Sequence, residues 1–393
     1  MNSEQKHNKV QWKMVKFDEF FDMLPNNTLS RDKLNDQYGE YQNIHYGDVL
    51  IKYPYCLDCG ENDIPYVNGN VRFNTTQIKD GDVIFADTAE DDTVGKCVEM
   101  MNVGDRKIVS GLHTYLCRPK FAIASGYLGY FLNSNHYHNQ LLPYIAGSKV
   151  SSVNRASIAR TLIFFPSALS EQRRIASILS SADKVIDSTQ KLIAKYKSIK
   201  QGMMEDLLKP KEGWKKVKLG EVGKISMCKR VFSFETSIEG EIPFYKIGTF
   251  GKTADAFITR QLFEEYKNKF SYPKVGDILI SASGTIGRTV VYDGEPAYFQ
   301  DSNIIWIDND ETIILNQFLY YQYKIISWNL EGSTIARLYN DNFNKIEIFV
   351  PDFSEQCRIA SILSSIDKKI ESEEKVLEKY KNIKKGLMEK LLI

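Results

Sequence analysis

Two stretches of the chain place apolar residues at alternating steps of three and four, the spacing of a helix that buries one narrow stripe. They span residues 170–208 and 354–392, and in each the stripe is interrupted once by a polar residue, Thr189 or Glu373. A helix of this length would be roughly 57 Å long, and a narrow apolar stripe on so long a helix is typical of a coiled coil. The pattern therefore predicts two long helices that pair with each other. The first stripe comprises Ile175, Leu179, Ala182, Ile186, Ile193, Tyr196, Ile199, Met203 and Leu207.

The two stretches are copies of one sequence. Aligned at a constant offset of 184 residues, they agree at 26 of 39 positions without a gap. Ser170 and Ser354 are predicted to cap the N-terminal ends of the helices, and Pro210 is predicted to end the first. Chance does not produce such agreement, so the chain carries an internal duplication.

The segments before the two helices repeat more faintly. Gly81-Asp-Val-Ile-Phe resembles Gly276-Asp-Ile-Leu-Ile, and Trp12-Lys-Met-Val-Lys-Phe resembles Trp214-Lys-Lys-Val-Lys-Leu. Short β-branched runs separated by Gly, Asn and Asp predict strand-rich globules of mixed α/β (α+β) class. The predicted domains are a globule over 1–169, a helix over 170–209, a second globule over 210–353 and a second helix over 354–393.

Composition and charge limit the kinds of protein that this chain can be. With 51 basic and 50 acidic residues the net charge is +1, so any polyanion must be met by local patches rather than by bulk charge. No apolar run approaches the ~20 residues that cross a bilayer, and the polar N-terminus lacks the apolar core of a signal peptide. We therefore expect a cytoplasmic protein with no membrane partner and six reduced cysteines.

Duplicated globules on matched helices indicate what such a chain binds. Two related modules at a set separation suit DNA, because half-sites recur on one face of the duplex each ~34–36 Å. Globules that differ in sequence would then read two unrelated half-sites. The alternative is a coiled-coil scaffold for protein partners that does not bind DNA.

The repeated motifs resemble the specificity subunit of type I restriction–modification enzymes. The resemblance rests on the Ser-Glu-Gln-x-Arg-Ile-Ala-x-Ile-Leu helix start, the Trp-x-x-Val-x-Leu-Gly-Glu-Val opening and the Gly-Asp-Ile-Leu-Ile strand, and it covers the chain from about Trp12 to Leu392. One departure is Phe17-Asp18 in the first opening, where the second has Leu219-Gly220.

The resemblance implies a fold and a set of partners. Two target-recognition domains would each bind half of a split site on double-stranded DNA, and the helices would pair as an antiparallel coiled coil with pseudo-twofold symmetry that sets the spacer. Two methyltransferase subunits would bring S-adenosylmethionine, and restriction or translocase subunits would bring ATP and Mg. The chain itself would be non-catalytic and hold no cofactor.

Motifs for other chemistry are incomplete. Gly251-Lys-Thr253 ends like a phosphate-binding loop, but Lys246 stands where the upstream glycine belongs. Cys56 and Cys59 have the spacing of a zinc pair without a second pair to complete it. We therefore predict no catalytic residue and no metal site, which disfavours a single-chain enzyme.

Base reading needs forked donors or amide groups on exposed loops, and phosphate contacts need basic or hydroxyl side chains. Three flexible polar loops in the globules have this chemistry: residues 147–155 with their counterpart at 332–337, residues 246–252 and residues 281–288. The predicted DNA-binding residues are Ser148, Lys149, Asn154, Arg155, Lys246, Lys252, Ser283, Thr285, Arg288, Ser333, Thr334 and Arg337.

Overall fold

The computed structural model describes residues 11–69, 76–147, 149–328, 338 and 340–392. The chain divides into two compact units. Unit 1 comprises Met1–Lys191 and Glu374–Ile393, and unit 2 comprises Leu192–Glu373. Each of the two long helices contributes one part to each unit, because both boundaries between the units fall inside these helices.

Unit 1 is built from short strands and helices that precede the first long helix. Its strands are β1 (Trp12–Lys16), β2 (Phe21–Leu24), β3 (Leu34–Asn35), β4 (Gln42–Ile44), β5 (Cys56–Asp58), β6 (Tyr66–Val67), β7 (Val83–Ala86), β8 (Thr88–Ala89), β9 (Cys97–Met101), β10 (Ile108–Ser110), β11 (Thr114–Pro119), β12 (Ser151–Ser152) and β13 (Leu162–Pro166). Its helices are α1 (Phe17–Phe20), α2 (Tyr46–Ile51), α3 (Tyr127–Leu132), α4 (Asn135–Leu141), α5 (Arg155–Ile158) and the first part of α6 (Leu169–Leu207).

Unit 2 repeats this plan after α6. Its strands are β14 (Lys215–Lys218), β15 (Gly223–Ser226), β16 (Ile242–Tyr245), β17 (Phe257–Ile258), β18 (Ile278–Ser281), β19 (Thr289–Val291), β20 (Tyr298–Phe299), β21 (Ile304–Asn309) and β22 (Glu347–Val350). Its helices are α7 (Leu219–Val222), α8 (Arg260–Lys269), α9 (Asn316–Ile325), α10 (Asn340–Lys345) and the first part of α11 (Phe353–Leu391). The last part of α6 also belongs to unit 2, and the last part of α11 belongs to unit 1.

The strand order shows that the duplication extends through both globules. The main sheet runs β2-β11-β7-β9-β5 in unit 1 and β15-β21-β18-β19 in unit 2. Each unit also contains a separate parallel strand pair, which is β10 with β4 in unit 1 and β20 with β16 in unit 2. In each unit the first strand pairs with the strand that leads into the long helix, β1 with β13 and β14 with β22. Faint repeats in the sequence therefore correspond to a shared topology, in which the main sheet of unit 1 has one further strand, β5.

Each main sheet is covered on both faces. In β7 the side chain of Phe85 enters one apolar core, whereas that of Ile84 enters another on the opposite face. In β18 the side chains of Ile280 and Leu279 divide in the same way. Successive side chains of a strand point to opposite faces, so two covered faces require the unbroken apolar runs seen in both strands.

The long helices begin one residue before the predicted caps. The α11 helix starts at Phe353, and Asp352 Oδ1 accepts a hydrogen bond from the Glu355 amide at 3.0 Å. Ser170 and Ser354 lie inside the first turns, so their assignment as N-caps is wrong. The aspartate takes the capping position because it precedes the helix and its carboxylate can reach the orphan amide.

The apolar stripe of α6 changes face in its last turns. Met203 was predicted on the stripe but is exposed, whereas Met204 and Leu208 are buried in the core of unit 2. The last turns therefore pack on the globule, which meets a different side of the helix. The polar interruption at Thr189 is buried, and its hydroxyl donates to the Val185 carbonyl at 2.8 Å.

Within unit 2 the two long helices run in opposite directions. Lys369 lies over the ring of Tyr196 at 5.4 Å, and Lys200 Nζ lies 2.5 Å from Asp367 Oδ1. Residue numbers rise along one helix as they fall along the other, which is the antiparallel pairing expected. Lys200 is 20% exposed, so most of its side chain is covered where it links the two helices.

Candidate nucleic-acid interface

Three chain segments of unit 1 meet where β7 ends. The Asp87 amide donates to the His113 carbonyl at 3.1 Å, and the Asp87 carbonyl accepts from the Val153 amide at 2.9 Å. His113 Nδ1 lies 3.2 Å from Asp87 Oδ1 and 3.4 Å from the hydroxyl of Thr88. The His113 side chain is 46% exposed, so this polar cluster reaches the surface.

The same arrangement occurs in unit 2 where β18 ends. The Ala282 amide donates to the Asn303 carbonyl at 2.8 Å, and the Ala282 carbonyl accepts from the Leu338 amide at 2.8 Å. The Ser283 hydroxyl donates to Asn303 Oδ1, also at 2.8 Å. We call Asp87, Thr88 and His113 in unit 1, and Ala282, Ser283 and Asn303 in unit 2, the strand-end site.

The two strand-end sites share a backbone and differ in side chains. Corresponding main-chain hydrogen bonds hold the same three segments in each unit. The side chain facing the hydroxyl is an imidazole in unit 1 and a carboxamide in unit 2. A framework that is kept while its exposed groups change is typical of a site that selects between ligands.

A non-glycine residue in the left-handed backbone region lies in the site of unit 1 and beside the site of unit 2. His113 has φ 55°, and Ser302, next to Asn303, also has φ 55°. Non-glycine residues rarely adopt this conformation, and such residues concentrate at functional sites.

In unit 2 the structure brings two of the predicted loops together. Arg288 Nη1 donates to the Phe250 carbonyl at 2.9 Å, which ties residues 281–288 to residues 246–252. Lys246 Nζ lies 2.8 Å from Asp255 Oδ1, while Lys252 and Thr285 are exposed. Ser283 belongs to the strand-end site itself. The predicted residues of these loops therefore surround one part of the surface.

In unit 1 the predicted residues lie on either side of β12, with Lys149 before this strand and Asn154 and Arg155 after it. Lys149 is exposed, and Asn154 caps α5 by accepting from the Ser157 amide at 2.9 Å, which orients its carboxamide oxygen towards the helix. The guanidinium of Arg155 lies over the ring of Tyr115 at 5.0 Å. Burial raises the pKa of Tyr115 to about 12, so its hydroxyl stays protonated and donates to the Val153 carbonyl at 3.2 Å.

Four predicted residues, Ser148, Ser333, Thr334 and Arg337, lie outside the described residues. Trp328 and Leu338, which lie on either side of residues 329–337, both contact the loop 281–288. Trp328 packs so closely on Gly287 that a side chain there would overlap the indole, and Leu338 bonds to Ala282.

Sequence reasoning missed His113 and Asn303. Extending the repeat of Gly81-Asp-Val with Gly276-Asp-Ile by seven positions would have aligned Thr88 with Ser283. The other two residues lie in turns where the halves share no motif, so only the pairing of β11 and β21 with their neighbours reveals that they correspond.

The cysteine pair weighed as a zinc site packs into two different cores. Cys56 Sγ lies 3.4 Å from the Gly126 carbonyl, whereas Cys59 is buried on the other side of the sheet. Burial raises the pKa of the Cys59 thiol to about 11. Among the described residues, no group of three or more histidine, cysteine or acidic side chains is placed to hold a metal ion. The described helices include none long and apolar enough to span a bilayer.

The fold and the repeated strand-end site define a class of protein: two modules of one design with different exposed side chains, each completed by parts of two long helices. Comparison with known proteins gives the family. Residues 9–197 and 211–382 match the model of the type I restriction modification DNA specificity domain. The chain belongs to the family of type I restriction–modification specificity subunits, the non-catalytic components of these systems.

Individual relatives agree with this assignment. A protein of Haemophilus influenzae named as a type I restriction enzyme specificity subunit is 44% identical over 265 residues, covering 65% of this chain and 67% of the relative. The MjaX specificity subunit of Methanocaldococcus jannaschii is 27% identical over 342 residues, covering 79% and 77%. The crystal structure of the M. genitalium S subunit matches 99% of this chain and 98% of its own, with 18% identity and a TM-score of 0.61. That likeness concerns the fold.

Proposed function

We propose that the chain recognises a bipartite site on duplex DNA, with unit 1 reading one half and unit 2 the other. The observation that carries the proposal is the strand-end site, in which one backbone framework presents two different side-chain sets. Readers built alike but with different contact groups suit two unrelated half-sites. The exposed Lys149 and Lys252 would contact phosphates, which position each unit without selecting sequence.

Charge bears on how tightly such a chain binds. The net charge is +1, and Lys246 is partly neutralised by Asp255. The chain alone therefore binds DNA weakly in this proposal, and binding strengthens and becomes salt-dependent when basic partner subunits join.

The partners follow from the family. The proposal includes docking of two methyltransferase subunits and, through them, restriction or translocase subunits, in the cytoplasm where the DNA lies. S-adenosylmethionine, ATP and Mg would be held by those subunits. A solved structure from a study of complex assembly in the type I R-M system has the same fold, with a TM-score of 0.56 and 19% identity.

The test is to co-express the chain with a methyltransferase subunit from the same source and to sequence the methylated DNA. A mark confined to a split motif with a fixed unspecific gap is expected. The matched control expresses the methyltransferase alone and should leave no such motif. A contiguous motif would mean that the two units do not read separate half-sites. A stable, cofactor-loaded complex that leaves no mark would favour the protein scaffold.

A further inference from the structure

We infer that His113 in unit 1 and Asn303 in unit 2 occupy equivalent base-reading positions, and that they offer opposite hydrogen-bonding groups to DNA. The inference rests on the proposed function and deepens it, because it assigns one specificity-determining residue to each half-site. Each of the two residues then selects one class of base edge.

In unit 1 the proton arrangement follows from the neighbours of the imidazole. The Thr88 hydroxyl donates its single proton to Asp87 Oδ1 at 2.7 Å. His113 Nδ1 lies beside the same carboxylate oxygen and the same hydroxyl oxygen, both of which can only accept there, so Nδ1 carries the ring proton. In the neutral ring the other nitrogen, Nε2, is then an acceptor. No described residue hydrogen-bonds to Nε2, which leaves its lone pair for a ligand.

In unit 2 the equivalent position has the opposite polarity. The Ser283 hydroxyl donates to Asn303 Oδ1, so the carbonyl side of the amide faces the protein. The amide nitrogen, with its two protons, is the remaining group of this side chain. Asn303 is partly exposed, so the group it offers to a ligand is a donor.

These groups match different base edges in the major groove. An acceptor pairs with the exocyclic amino group of adenine or cytosine, whereas a donor pairs with N7 of adenine or guanine, O6 of guanine or O4 of thymine, so a donor excludes cytosine and an acceptor excludes guanine and thymine. We therefore expect the half-site of unit 1 to require an amino-bearing base at one position, and the half-site of unit 2 to require a base with an acceptor at the corresponding position.

The surroundings of both residues fit this role. Main-chain hydrogen bonds from Asp87 and Ala282 fix the backbone of His113 and Asn303. Their side chains are therefore positioned before DNA binds. In unit 2, Asp301 next to this turn pairs with Arg230 at 2.9 Å, which places a further basic group beside the reading position.

The test compares methylated motifs produced by the complex of this chain with its methyltransferase subunit. Asn303→Asp keeps the size and the acceptor for Ser283 but replaces the amide donor by an acceptor. His113→Asn changes the ring to an amide, and asparagine tolerates the left-handed backbone at that position. The matched control is Asn268→Asp, an exposed asparagine on α8 of the same unit as Asn303.

We expect Asn303→Asp to shift one position of one half-site away from guanine or thymine and towards cytosine or adenine, with preference between bases changing by about two- to 12-fold, as for one hydrogen bond. His113→Asn should alter the other half-site only, and the control should leave the motif unchanged. Both variants retaining the wild-type motif at every position would overturn the inference while the bipartite function stood. If the wild-type complex leaves no split motif, the proposed function itself fails.

A variant that does not fold would give no mark for an unrelated reason. Each variant complex is therefore first checked for its thermal unfolding midpoint. If His113→Asn is unfolded, His113→Gly replaces it, since glycine adopts φ 55° without strain. That variant should lose selection at one base of one half-site, and a fully preserved motif would again overturn the inference.

Discussion

Lys384 Nζ lies 2.6 Å from Asp183 Oδ1 in unit 1, joining the last turns of α11 to the first half of α6. The hydroxyl of Tyr130 donates to the other oxygen of the same carboxylate at 2.7 Å. Unit 2 repeats the arrangement with Lys200 and Asp367, 184 positions from each counterpart. In unit 2 the hydroxyl of Tyr321 likewise donates to Asp367 at 2.8 Å, so in each unit the ion pair and a tyrosine link the helix pair to its globule.

Removing this charge should destabilise unit 1. Asp183→Asn leaves Lys384, which is 18% exposed, without its carboxylate, and we expect a loss of about 1–3 kcal/mol in the free energy of unfolding. Urea unfolding of the purified chain measures it. The control is Asp187→Asn, which breaks an exposed pair with Lys191 and should cost less than about 0.5 kcal/mol. Equal effects of the two substitutions would contradict the prediction.

Glu99 should make unit 1 less stable as the pH rises. Burial raises its pKa from 4.5 to about 7, although its carboxylate accepts from the Gly126 and Gly129 amides. The folded state holds the proton more tightly, so the contribution to stability is complete below pH 4.5 and is lost as the pH rises through 7. Glu99→Gln should reduce the pH dependence of the free energy of unfolding, measured from about pH 5 to about pH 8. An unchanged slope would show that another group titrates.

Two glycines should respond to alanine in opposite ways. Gly202 lies inside α6 with open space around its Cα, so Gly202→Ala should stabilise the chain by about 0.5–1 kcal/mol. Gly129 lies in α3, where an added Cβ would overlap the Tyr55 carbonyl oxygen. Gly129→Ala should destabilise by about 1–3 kcal/mol, as overpacking does. Thermal unfolding of both variants, monitored by circular dichroism, shows whether each substitution raises or lowers the stability.

Arg288→Ala should weaken recognition of one half-site only. It removes a positive charge and the bond to Phe250 that ties two loops together. We expect a loss of about 1–3 kcal/mol on DNA carrying that half-site, and a smaller salt dependence. Fluorescence anisotropy with the assembled complex measures both. Arg260→Ala on α8 is the control, and equal losses on both half-sites would show that this loop does not belong to one reader.

Much of the fold was predictable because its signals are local. The repeat around Ser170 and Ser354 revealed the duplication, and the strict apolar spacing gave both long helices almost to the residue. The cap of α11 was missed because Ser354, the second residue of the helix, looks like a cap when the preceding Asp352 is not considered. Met203 was misassigned because a stripe predicts one buried face, while α6 packs on a different surface in its last turns.

The site was predictable only in its chemistry. Flexible polar loops can be recognised from composition, and the structure brings residues 246–252 and 281–288 together. The strand-end site could not be foreseen, because Thr88 and His113 meet through sheet pairing between segments 25 positions apart. No spacing rule within one segment contains that information.

The order of synthesis has a consequence for how this chain becomes functional. Leu392 is fully buried in the core of unit 1, together with Phe17 and Leu179. Unit 1 therefore cannot complete its core until residues 387–392 have left the ribosome, although most of it is translated first. Unit 2 is one continuous segment, Leu192–Glu373, and can complete its core while α11 is still emerging. The second module translated is the first to mature, which reverses the usual sequence of cotranslational folding.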